Sequence, residues 1–361
     1  MAKTWRDGLI LIAVTLISTL LVWWQVGLNT VRQNFDGPYY AVVAKSFYNP
    51  QIIRYNFSFP LPLEYYPAHF PLYPSLMNVL DGLTGIGYLN AGLVINIITT
   101  AIGVVVIYKV FHSYKYPALF MSFAWLFWWP RMWAIRSIVS PETLFILLTV
   151  LSLYWFDKRS YFLAAVSGAA AVLTKSPGII LFVAYGLWSI TEAIKSKKIP
   201  WRVWPIILIP LALMGLFSFY WLQTGDFFAY FHSGDNIHLQ ALPFKIFDSN
   251  QPWVGDFWLE DILWIYLVGG IGVWLAFKKN KVWGWFGLVF YTTLLFVSHR
   301  DLSRYALPLV PPVLLGLASL FEKKEVRWAI ILIIVPLFFY TTNFLTHNTL
   351  TISNWAPFFS K

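Results

Sequence analysis

Long apolar runs separated by short charged stretches dominate the chain. A helix that crosses a bilayer needs about 20 predominantly apolar residues. Roughly eleven such runs occur, near 8–27, 89–111, 116–130, 140–156, 160–174, 178–193, 203–224, 259–277, 282–298, 305–321 and 327–345. The pattern predicts an all-α polytopic membrane protein, read as a single transmembrane domain over 1–361. The first run begins at Asp7, after Lys3 and Arg6. It runs too long for a removable leader and lacks the small-residue cleavage pattern. The loops between runs are uneven. On one side they are tiny, as at 156–160 and 278–281. On the other side two segments are long, about 28–88 and 225–258. The first of these holds two shorter helical patterns. Pro38 suits a first helical turn, and Tyr39, Val42, Val43, Ser46 and Phe47 follow at helical spacing. The run 74–83 reads likewise. Both are expected as helices lying in the membrane interface.

Composition closes off other classes. Of 361 residues 58% are hydrophobic and 20% aromatic, but only 12% are charged, against about 25% in soluble domains. An ordinary soluble enzyme, a disordered chain and a soluble nucleic-acid binder are excluded. The net charge of +10 then reads as topology. With the N-terminus in the cytoplasm, the short loops hold sixteen cations against five acids, a balance of +11. The long-segment side holds ten cations and eleven acids, a balance of −1. Lys/Arg bias sets orientation, so the long segments are expected outside. There are no cysteines, so disulfides, thiolate metal sites and thiol nucleophiles are excluded.

The outer side carries the candidate chemistry. Asp36 precedes the first short helix in Phe35-Asp36-Gly37-Pro38-Tyr39-Tyr40; Asp-Gly is also an ordinary turn pair. His69 stands in His69-Phe70-Pro71-Leu72-Tyr73-Pro74, where an aromatic filler is the plain reading. Arg131 and Arg136 lie between the third and fourth runs. Ser140-Pro141-Glu142-Thr143 reads as a helix start, with a Ser cap, Pro at the first position and an acid in the first turn. Lys175 closes a short span and is expected slightly inside the hydrocarbon boundary, where an ionisable group points to function unless it snorkels. Arg300 and Arg304 flank Asp301 in a tight loop ending in Tyr305. His232, Asp235 and His238 form a His-x-x-Asp-x-x-His run that invites a metal, although no Asp-x-Asp motif accompanies it.

Taken in order and sidedness, the motifs Asp36–Tyr40, His69–Pro74, Ser140–Thr143, Thr174–Gly178 and Arg304–Pro308 resemble the GT-C superfamily of integral-membrane glycosyltransferases. The nearest types are lipid-linked mannosyltransferases and prokaryotic relatives of protein O-mannosyltransferases and aminoarabinose transferases. The resemblance implies a GT-C-type bundle of about 11 transmembrane helices with two interfacial helices in the first outer loop. It implies a sugar moved from a polyprenyl-phosphate donor to an acceptor hydroxyl on a glycan, lipid or protein. It sets the enzyme in a prokaryotic plasma membrane with its site extracytoplasmic. It places Asp36 as catalytic base. It puts Arg304-Tyr305-Ala306-Leu307-Pro308 near the donor phosphate, and Glu142 among groups that bind acceptor or sugar hydroxyls. Tyr39 and Tyr305 are expected beside Glu142 in that role.

The chemistry fits this economy of residues. The attacking oxygen must lose a proton, which one positioned carboxylate can take. The departing phosphate is a weak base and needs cations rather than an acid. Lys175, Arg304, Arg300, His69, Arg131 and Arg136 are the expected phosphate binders. Direct displacement with one base implies inversion. Neither a metal nor another cofactor is expected. The competing readings are a flippase or transporter for lipid-linked sugars, which calls for polar groups at mid-bilayer, and a glycan ligase that would not require Asp36.

Overall fold

The computed structural model describes residues 2–59, 61–234, 238–253 and 259–359. It is helical almost throughout. Among the described residues six helical stretches are long and apolar enough to cross a membrane: Thr4–Val26, Tyr88–Ser113, Ser176–Ser196, Trp201–Thr224, Glu260–Lys279 and Lys324–His347. The other apolar runs are helical too, but shorter. Extended pairing is confined, among the described residues, to two isolated antiparallel bridges, Asn34 with Thr349 and Leu239 with Val297. The chain is an integral-membrane helical bundle.

We label the elements that position the site. They are α1 (Ala2–Val26), α2 (Gly37–Ser46), α3 (Leu72–Thr84), α4 (Tyr88–Ser113), α5 (Pro130–Arg136), α6 (Glu142–Asp157), α7 (Tyr161–Thr174), α8 (Glu260–Lys279), α9 (Lys281–Leu295), α10 (Leu302–Tyr305), α11 (Val310–Gly316) and α12 (Ile334–His347).

Proline explains where observed elements depart from the apolar runs. The run 116–130 stops as a helix at Phe127 and restarts with Pro130 as the first residue of α5. Proline has no N–H to donate and is tolerated only in a first turn. The run 305–321 is broken in the same way, by Pro308, Pro311 and Pro312, into a turn and the short α11. That break lets α11 lie close to α8. A methyl group on Gly316 would collide with the backbone carbonyl of Gly272. Small residues allow such close approach in membrane proteins.

The two short helices of the 28–88 segment differ in surroundings. Along α3, Tyr73, Met77 and Asp81 are buried on one face, while Leu76, Val79 and Leu83 expose an apolar row. In α2 nine of ten residues are buried, so protein covers this helix on all sides. The segment also holds short helices at Leu28–Arg32 and Pro50–Asn56. The side chain of Asn49 caps the latter by accepting from the amides of Gln51 and Ile52. At the opposite end of the bundle Asp157 accepts from Asn280 Nδ2 at 2.6 Å and from Tyr114 Oη at 3.0 Å. This ties the ends of α4, α6 and α8 and the start of α9 together among the basic loops.

Candidate active site

Four side chains from four distant segments meet at the long-segment end of the bundle. Asp36 stands at the N-terminus of α2, yet its side chain does not cap that helix. Its Oδ2 instead accepts from Arg304 Nη1 at 3.0 Å. Glu142 opens α6 and is 2% exposed. Its Oε1 accepts from Lys175 Nζ at 2.6 Å and from Arg304 Nε at 2.7 Å. Its Oε2 accepts from Ser140 Oγ, so that hydroxyl serves the carboxylate and not the helix amides. Lys175 leaves α7 in extended conformation, before a turn containing Pro177. Arg304 lies in the single turn α10.

The cluster is formally neutral, with two carboxylates and two cations. Burial alone would depress the Arg304 guanidinium; Glu142 and Asp36 reverse this and hold it well above its ordinary range. Charges out of water are costly and need complete pairing, so the surroundings must fix them. Tyr73 accepts from the Ser140 amide at 3.1 Å. Its own hydroxyl lies 3.0 Å from Asn96 Oδ1. Asn96 Nδ2 donates to the Ile138 carbonyl, and Thr143 Oγ1 donates to Asn96 Oδ1 at 3.3 Å. This buried polar scaffold sets the turn that delivers Glu142.

The cluster opens into a cavity with two characters. Asp36, Tyr40, His69, Glu142, Lys175, Arg304 and Tyr305 line the polar end. Phe145, Ile180, Phe290, Leu294, Val297 and Pro308 line the apolar wall. A second cavity of about 340 Å³ adjoins it. Asp36, Arg304 and Tyr305 belong to both, and Tyr39, Tyr65, His299, Arg300 and Asn348 line the second alone. His69 is buried, with its ring edge-on to Tyr40 at 4.7 Å and to Tyr39 at 5.7 Å.

Asp36, His69, Glu142, Lys175, Arg304 and Tyr305 thus converge on the first cavity, while Tyr39 and Arg300 face the second. Arg131 and Arg136 line neither. Arg136 is 1% exposed and is taken up by α1, donating to Thr19 Oγ1 at 2.7 Å and Ser18 Oγ at 2.9 Å. Arg131 pairs with Asp301 at 3.1 Å. The His-x-x-Asp-x-x-His run is divided as well. His232 pairs with Asp226 at 2.6 Å, and His238 stacks on His299 at 4.7 Å; Asp235 lies outside the described residues. No group of three or more His, Asp or Glu residues gathers around a metal-sized site among the described residues.

No local sequence pattern marks Tyr40, the Ser176–Tyr230 hydrogen bond (2.8 Å) or the apolar wall from α9. For Asn96 the available signal is a polar residue inside the apolar run 89–111.

No family model matches the chain, and no curated protein matches its sequence. The fold is similar to that of ArnT from Cupriavidus metallidurans, solved bound to undecaprenyl phosphate. The TM-score is 0.56 at 14% identity, over 92% of this chain and 63% of that one. The chain therefore spans less than two thirds of the length of that protein, and what the two share is the polytopic helical fold.

Proposed function

We propose that this protein is an inverting glycosyltransferase, moving a sugar from a polyprenyl-phosphate donor to an acceptor hydroxyl on the extracytoplasmic face. One observation carries the reading. The Asp36 carboxylate and two cations, Lys175 and Arg304, sit together where a polar cavity meets an apolar wall. A lipid phosphate is an anion on an apolar chain and needs both. The similarly folded ArnT was solved with such a lipid.

The geometry supports a role for each residue. The donor phosphate takes the polar end, against Lys175 and Arg304, with its chain along Phe290, Leu294 and Val297. His69 edges the same space, and Arg300 approaches from the second cavity. Arg131 and Arg136, engaged elsewhere, are left out of phosphate binding. The acceptor enters the second cavity, beside Tyr39 and Tyr305. Asp36 is on the shared wall, so its carboxylate takes the acceptor proton as the oxygen attacks the anomeric carbon. The new carbon–oxygen bond forms as the bond to the phosphate oxygen breaks. The electron pair stays on the phosphate, which gains negative charge. Lys175 and Arg304 stabilise that charge where it develops. Glu142 holds both cations in place, and its carboxylate offers hydrogen bonds to sugar hydroxyls. Attack opposite the leaving phosphate inverts the anomeric centre. We assign no metal to this reaction.

The test is mass spectrometry of products from purified protein given a panel of polyprenyl-phosphate sugars and acceptors. A general base contributes about 10²–10⁴-fold in rate, so Asp36→Asn should lower turnover by that factor. It keeps the shape of the side chain and should leave the melting temperature near wild type. An Asp36→Asn protein that transfers sugar at the wild-type rate overturns the reading.

A further inference from the structure

Arg131 lies outside both cavities yet is only 9% exposed. Its surroundings form a closed circuit. On one side its Nη2 pairs with Asp301 at 3.1 Å, and its Nε donates to Ser303 Oγ at 3.3 Å. Both partners belong to the turn that carries Arg304. On the other side its guanidinium lies over the ring of Phe344, 3.9 Å from the centroid. Phe344 meets Phe35 at 5.5 Å. The Arg304 guanidinium lies over the other end of this stack, 4.7 Å from the Phe35 centroid. The circuit therefore runs from Arg131 through Phe344 and Phe35 to Arg304. It returns along the backbone to Asp301, where the Arg304 amide bonds the Asp301 carbonyl at 2.8 Å.

The backbone at Phe35 supports a built arrangement. Phe35 has φ of 49°, which a bulky residue rarely adopts. Strain of this kind persists only where neighbours over-determine it. Here Phe35 N donates to the Asn348 carbonyl at 3.3 Å, and Leu350 N to the Gln33 carbonyl at 2.8 Å. Asn34, fully buried, donates to the Leu345 carbonyl at 2.7 Å. The next residue is Asp36. The stack thus fixes the Arg304 plane from the same backbone that presents Asp36.

We propose that Arg131 is a positioning residue. Through the Asp301–Ser303 turn and the Phe344–Phe35 stack it holds Arg304 in register with Asp36 and Glu142. It touches no substrate. The catalytic consequence rests on the function proposed above, whereas the structural one does not, and two readouts separate them. The first is hydrogen exchange of the detergent-purified full chain. Arg131→Met/Asp301→Asn removes both charges of the pair, so neither is left buried and alone. Phe344→Leu breaks only the stack. Either variant should speed exchange at least tenfold in the Arg304 and Phe35 amides, while the bundle core keeps its protection.

The second readout is steady-state transfer. Both variants should lower kcat about tenfold or more with donor KM within twofold. Combining all three substitutions should cost little beyond the worse of the two, because members of one circuit couple. Unchanged exchange at Arg304 and Phe35 overturns the proposal. So does a donor KM raised tenfold at unchanged kcat, the mark of a direct phosphate contact. A wild-type protein that transfers no sugar, with the exchange response intact, removes the glycosyltransferase reading and leaves the positioning role standing.

Discussion

Glu142 is the residue on which the cluster turns, because one carboxylate oxygen holds both Lys175 and Arg304. Replacing it by Gln leaves two cations facing each other with one carboxylate, Asp36. Removing one partner of a buried pair costs about 3–5 kcal/mol. Glu142→Gln should therefore lower the melting temperature and abolish transfer together, read by thermal denaturation in detergent and by product mass spectrometry. Arg304→Lys is a sharper probe. Arg304 reaches Glu142 through Nε and Asp36 through Nη1, and an ammonium cannot span two divergent acceptors as a planar fork does. Activity should fall by about 10² with the fold retained; full activity would show that charge alone suffices. Lys175 is legible in the sequence as an ionisable group at the end of a short span, and Asp36 through the resemblance of its motif. Their pairing is not. Nothing in the local sequence says that residue 304 meets residue 36.

At the scale of elements, proline and glycine decide the geometry. Pro130 converts the end of one apolar run into α5, and Pro308, Pro311 and Pro312 shorten another into α11. Apolar content alone predicts each run as continuous, and the prolines break them. Close approach of α8 and α11 depends on Gly316. Gly316→Ala should destabilise the protein strongly, seen as loss of the folded peak in size-exclusion chromatography, because backbone and not a flexible side chain occupies the space. Helix α2 gives a further lesson. Its spacing of apolar residues predicts one buried face, yet nine of its ten residues are covered. Burial on the remaining faces comes from elements far along the chain, which periodicity within ten residues cannot report.

Over the whole molecule the long-segment face carries the site, and the other face carries the short basic loops. The charge balance of +11 and −1 predicts that the site is extracytoplasmic. The absence of cysteine makes this directly testable. Single cysteines at exposed Ser196 and Ser249 report opposite faces. In intact cells an impermeant maleimide should label Ser249→Cys and not Ser196→Cys; the reverse pattern would invert the topology. The likeness to ArnT, at 14% identity, shows how much sequence such a bundle tolerates. Apolar helices of suitable length satisfy the bilayer with many sequences, so the fold outlasts residue identity.

The sequence by itself determined the solvent, the helical class, the positions of the apolar runs and the asymmetry of charge. These depend on local composition and on the length of a run, quantities a chain carries without folding. Tertiary structure alone decided which cations belong to the site. Lys175 and Arg304 share the Glu142 carboxylate, whereas Arg136 is spent on α1 and Arg131 on the turn behind Arg304. An ion pair needs its groups within a few ångströms, and distance across a bundle is set by packing between segments tens to hundreds of residues apart.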